Sequence, residues 1–223
     1  MNIKAWIAEF IGTFALIFIG VGAIASHFLI GDKSGLVGIA LAHGLTIAVM
    51  VSATAAISGG HLNPAVTIAL FWVKKIDFRN TAGYVVAQCL GAIAAAVFIK
   101  IIFPDSVLQS VGMGTPALGE GITPGVGLLT EIILTFFLVF VVYGTGVYHG
   151  APKVGGLFIG LTVALDILMG GPITGAAMNP ARYLGPALLG GGTEYFWLYW
   201  LGPVLGGILA TSVYRYALES PQD

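Results

Sequence analysis

Six stretches of the chain, at about 5–28, 36–57, 81–103, 126–147, 154–171 and 195–217, each hold the roughly 20 apolar residues that a helix needs to cross a bilayer. Helices apolar on every side must be surrounded by protein or lipid, and 223 residues cannot enclose six of them. Charge agrees, because only 9% of the residues are charged where a soluble domain carries about 25%. The first run follows Lys4 as the core of a signal peptide would. It is too long for one, carries Glu9 and has no small-residue cleavage site, so it is read as a retained span.

Two more apolar pieces, about 62–73 and 178–189, follow Gly-rich approaches and are too short to cross. Their length suits re-entrant half-helices, and broken backbone survives at membrane depth only beside protein or a wet cavity. Lys4, Lys74, Lys75, Arg79, Lys153 and Arg215 fall where six spans place them on one face, which is therefore expected to be cytoplasmic with both termini. Lys33 and Lys100 lie toward the other face.

Nine basic against ten acidic residues leave no footprint for nucleic acid. Cys89 is alone, which excludes an internal disulfide framework. The histidines, 27, 43, 61 and 149, are scattered over different segments, so neither a metal centre, a cofactor nor an enzyme is expected.

The halves of the chain, about 5–103 and 126–217, repeat each other within a single domain. Ala8-Glu9-Phe10-Ile11-Gly12-Thr13-Phe14 aligns with Thr130-Glu131-Ile132-Ile133-Leu134-Thr135-Phe136, and Leu62-Asn63-Pro64-Ala65 with Met178-Asn179-Pro180-Ala181. Each unit holds an odd number of spans, so the second enters from the opposite face, and an inverted repeat brings related sites to the midplane.

A short helix starting at mid-membrane presents unpaired N–H groups and a positive dipole end. Pro64 and Pro180 suit its first turn, and Asn63 and Asn179 suit the cap before it. One Asn-Pro-Ala alone is a turn or a helix start. Two, at matching places in an inverted repeat, bring two positive ends together with amide donors between them. Water held there would turn its hydrogens outward, which interrupts a proton wire, and a cation would meet an electrostatic barrier.

Ser58-Gly59-Gly60-His61-Leu62-Asn63-Pro64-Ala65-Val66-Thr67 and Gly175-Ala176-Ala177-Met178-Asn179-Pro180-Ala181-Arg182 resemble the two signatures of the major intrinsic protein (aquaporin) family. The resemblance covers nearly the whole chain. It implies an all-α membrane protein of six transmembrane helices and two re-entrant half-helices, assembled as a homotetramer with a pore in each subunit. Its partners would be the lipid bilayer, water and small neutral solutes, and its host the cell membrane.

The family's constriction aligns with His43, Ile167, Ala176 and Arg182. Arg182 also has a case of its own, since an intramembrane guanidinium stays charged and marks a pairing or a pathway. His43 could equally pair with a neighbouring helix. The set departs from strict water channels, which carry Phe in span 2 and His in span 5, and resembles the plant tonoplast intrinsic proteins. Ammonia permeability is implied by that resemblance. Tyr183, Ala187, Tyr199 and Trp200 fit water channels better than glycerol channels.

The Gly-rich approaches at Gly59, Gly60 and His61, and at Gly175, Ala176 and Ala177, leave a ladder of carbonyls to face water, although Gly-rich loops also serve as hinges. Glu9 and Glu131 are intramembrane acids at equivalent positions. In the family such acids support the loop backbones; in a proton- or ion-coupled secondary transporter they would bind the driving ion. Asp166 has no counterpart in the first repeat, and either a pairing or a pore role is open to it.

Overall fold

The computed structural model describes residues 2–150 and 154–219; Lys153, counted above among the cytoplasmic cations, lies outside them. Six long helices are apolar enough to cross a membrane: α1 (Ile3–Leu29), α2 (Gly35–Ser58), α4 (Phe78–Ile102), α6 (Pro124–Val142, extended to Val147 by a wide π-type turn), α7 (Gly155–Thr174) and α9 (Phe196–Val213, extended likewise to Leu218). Two short helices, α3 (Pro64–Trp72) and α8 (Pro180–Pro186), interrupt them, and a third, α5 (Asp105–Ser110), lies in the long connection after α4.

Local chemistry sets the boundaries. Asp77 accepts from Asn80 N–H, which starts α4 at Phe78, three residues before the sequence expectation. Thr123 caps α6, with Pro124 in its first turn. The second half-helix ends at Pro186 and passes through a wide turn, so it is shorter than the expected 178–189. Both α2 and α7 stop at a glycine in the left-handed region, Gly59 at φ 88° and Gly175 at φ 76°.

Packing follows the halves. α1 lies along α2 and α4, α6 lies along α7 and α9, and the longest contact joins the halves through α2 and α7. There Gly44 and Gly160 face each other so closely that a Cβ on either would collide with the other's carbonyl oxygen. Small residues of this kind let membrane helices approach backbone to backbone. Outward faces stay apolar and exposed, as at Val49, Phe78, Ile101 and Leu165, where lipid is the natural solvent.

Glu219, the last described residue, is tied to the face that bears Lys75. Glu219 accepts from Arg215 Nη1 at 2.6 Å, from Tyr143 Oη at 2.9 Å and from Lys75 Nζ at 3.4 Å. The Arg215 hydrogen bond is the largest influence holding the Glu219 carboxyl below its ordinary 4.5.

Candidate functional site

Asn63 and Asn179 cap the two half-helices in the same way. Asn63 Oδ1 accepts from Ala65 N–H at 2.8 Å; Asn179 Oδ1 accepts from Ala181 N–H at 3.0 Å and Arg182 N–H at 3.2 Å. Their amide nitrogens reach across. Asn63 Nδ2 donates to the Met178 carbonyl at 2.8 Å, and Asn179 Nδ2 donates to the Leu62 carbonyl at 2.9 Å. The half-helices therefore meet by their N-termini, and each amide keeps one N–H that these bonds do not use.

Both approach loops turn through left-handed positions in the same order: Gly59 (φ 88°), Gly60 (63°) and Leu62 (51°) in one, Gly175 (76°), Ala176 (44°) and Met178 (52°) in the other. Such conformations cost a non-Gly residue about 1 kcal/mol or more. The buried carboxylates hold them. Glu9 accepts from Ser58 Oγ, His61 N–H, Leu62 N–H and Gln88 Nε2 at 2.6–2.9 Å. Glu131 accepts from Thr174 Oγ1, Ala177 N–H and Met178 N–H at 2.7–2.9 Å. A second pair of supports was not read from the sequence. Tyr84 Oη donates to the Ser58 carbonyl and Tyr199 Oη to the Thr174 carbonyl, each at 2.8 Å. The spacing of each tyrosine behind its Asn-Pro-Ala motif was the signal available.

A conduit runs past these loops. Its central lumen is lined on one side by Leu16, Ile47, Val51, Leu138, Val163 and Ile167, and on the other by the strip from Ala176 to Asn179 together with Gly60, His61, Asn63 and Arg182. Toward one face it opens into a vestibule that shares Gly60 and His61 with it and adds Gly59 and Lys75. Toward the other it opens into a vestibule that shares His43, Ile167 and Arg182 with it and adds Gly114, Pro116 and Gly175. Apart from His43 on α2, the polar groups of the lumen are thus confined to one strip of a greasy wall.

His43, Ile167, Ala176 and Arg182 all line this conduit. Arg182 Nη1 donates to the Gly114 carbonyl at 2.8 Å, while its buried Nε has no partner among the described residues. Gly114 belongs to the turn after α5, so the long connection folds in to hold the guanidinium, a contact the sequence did not disclose. His43 Nδ1 is 2.9 Å from the Ile39 carbonyl, which makes it the protonated ring nitrogen, and Nε2 is buried without a partner among the described residues. Asp166 is buried in α7 with Oδ2 unpartnered among the described residues, and it lines none of the three spaces described. Cys89 is half-buried in α4 against the core, also off the lumen.

Six spanning helices around a conduit, with two capped half-helices meeting head to head within it, define a membrane channel. Residues 1–214 match the Major intrinsic protein family, and the chain belongs to it. It is 42% identical to "Probable aquaporin TIP3-2" of Arabidopsis thaliana, over 97% of this chain and 84% of that one. It is 40% identical to "Aquaporin-4" of Mus musculus, over 96% of this chain and 67% of that one. The crystal structure of an aquaglyceroporin from Plasmodium falciparum superposes with a TM-score of 0.86 at 26% identity, covering 98% of this chain and 97% of that one. The chain is a multi-pass integral membrane protein and a passive channel for water and small solutes.

Proposed function

We propose that each subunit conducts water and ammonia in single file, with Asn63 and Asn179 at its centre and a filter made by His43, Ile167, Ala176 and Arg182. The observation that carries this is the crossed pair of amide bonds between the loops, which aims both half-helix N-termini at the lumen. A water between the two amides accepts their remaining N–H groups and points its own hydrogens up and down the file. No water there can pass a proton on in both directions, and the two dipole ends repel cations. Carbonyls of Gly59, Gly60 and His61, and of Gly175, Ala176 and Ala177, complete the polar strip in this scheme.

At the filter, Arg182 supplies donors and a fixed positive charge, and Ile167 supplies an apolar wall. A solute with fewer hydrogen bonds than water loses less on entering such a site, which favours ammonia, while the guanidinium excludes ammonium. Glu9 and Glu131 spend their oxygens on loop N–H and hydroxyl groups, so they act as structural supports rather than as acids for a driving ion.

The chain is taken as one channel domain of two inverted repeats, 5–103 and 126–217, in a homotetramer in the cell membrane. The basic residues flanking its spans favour cytoplasmic termini. Cross-linking, localisation of a tagged chain and protease protection check these three points. Conduction is tested in proteoliposomes, where osmotic water flux with a low activation energy and background proton conductance are expected. Ammonia flux is expected as well, and Ile167→His with His43→Phe should reduce it; equal ammonia flux from wild type, double variant and empty liposomes refutes the ammonia assignment.

A further inference from the structure

We propose that Gly20, a residue of α1, sets the width of the filter by providing a socket for the tip of the His43 ring. The proposal rests on His43 being a filter residue. Successive turns of α1 face the conduit, with Leu16 lining the lumen and Ile24 lining the vestibule beyond the filter. Gly20 lies between them on the same stripe and has no side chain to fill its turn of the wall. The imidazole fills it instead. A Cβ built on Gly20 would fall 2.6 Å from His43 Cδ2 and 2.9 Å from Cε1, and closer still to Nε2. All three are ring atoms, and the nearest of them, Nε2, is at the tip.

The near end of the ring is tethered by the 2.9 Å bond from Nδ1 to the Ile39 carbonyl one turn back on α2. With its near end tied and its tip seated against α1, the ring lies along the wall. A methyl group at position 20 removes the seat by meeting the imidazole first, because the three nearest atoms all belong to that ring. The ring must then swing on its tether into the conduit it shares with Arg182, and the passage narrows.

Four proteins separate the possibilities: wild type, Gly20→Ala, His43→Ala and the double variant, each reconstituted and normalised to channel number, with water and urea fluxes measured. Gly20→Ala is expected to lower water permeability about tenfold, which corresponds to about 1.4 kcal/mol on the barrier. The double variant is expected to match His43→Ala, because a methyl group with no imidazole to displace does nothing. Unchanged water flux in Gly20→Ala overturns the proposal. So does a double variant as slow or as poorly assembled as Gly20→Ala, since the methyl group then acts on something other than the ring. The underlying assignment of His43 has its own readout. His43→Ala should widen the filter and raise urea flux, and no change in either flux would remove His43 from the filter whatever Gly20 does.

Discussion

The loop entering α3 and the loop entering α8 turn through the same left-handed positions, rest on equivalent glutamates and tyrosines, and cap their helices with equivalent asparagines. Three residues past the asparagine they part: Val66 lines the lumen in one and Arg182 in the other. The supports also differ slightly, because Gln88 donates to Glu9 at 2.7 Å whereas the α9 backbone at Gly202 comes up against the Glu131 side chain. Duplication has kept the scaffold of the loops and left their chemistry free to diverge. Charge selection can then sit toward one end of the conduit while the centre stays symmetric.

The largest effects should come from removing the shared supports. Glu9→Ala and Glu131→Ala each orphan two buried loop N–H groups, at about 1–3 kcal/mol apiece, and thermal unfolding in detergent should show losses of that order. Each also leaves one hydroxyl, Ser58 or Thr174, without its glutamate acceptor, and Glu9→Ala should be the worse of the two because Gln88 loses that acceptor as well. Equal losses would break the asymmetry argued for the cradles.

Exchanging the divergent residues probes the chemistry alone. Arg182→Val makes the second loop resemble the first and should raise proton or ammonium leak by about tenfold, the change expected for a barrier lowered by about 1.4 kcal/mol. Val66→Arg should block water without restoring selectivity. Pyranine fluorescence and stopped-flow light scattering read the two, and an Arg182→Val channel as proton-tight as wild type would place selection at the asparagines alone.

Smaller effects are expected at the caps. Asn63→Ala and Asn179→Ala each lose an N-cap and a cross-loop hydrogen bond, about 1 kcal/mol for each contribution. Similar melting shifts would support equivalence of the caps, and a clear gap between them would argue against it.

The weakest effect concerns Glu219, which joins the halves through Lys75 and Arg215. Glu219 is held below 4.5, so its contribution is complete above that pH and fades only as pH falls through its lowered value. Protection of the C-terminal segment from carboxypeptidase should therefore be constant above 4.5, and Glu219→Gln should remove it at neutral pH.

Much of the helical framework was legible in the sequence. Spans and half-helices announce themselves by apolar length and by Pro after Asn, features that need no knowledge of the rest of the fold. Boundaries shifted where a polar cap acted, as Asp77 does for α4, and Pro186 shortened α8. What escaped were pairings between distant segments: Tyr84 with Ser58, Gly114 with Arg182, Gly20 with His43 and each asparagine with the opposite loop. One partner in several of these is a backbone carbonyl or a missing side chain, which leaves no mark in residue identity. His43 was read as a filter or pairing residue, and its tether to Ile39 lies within α2, where any helical histidine could make it.

The crossed amides have a consequence for biosynthesis. Asn63 finds its acceptor 115 residues further along the chain, and Asn179 finds its own 117 residues back. During synthesis the leading half enters the membrane with the Leu62 carbonyl still waiting for its donor, and this pair of contacts, among the longest in sequence, closes only when the trailing half arrives. Neither half can finish its own loop, so a truncated chain is left with an open seam at the depth where lipid tolerates it least.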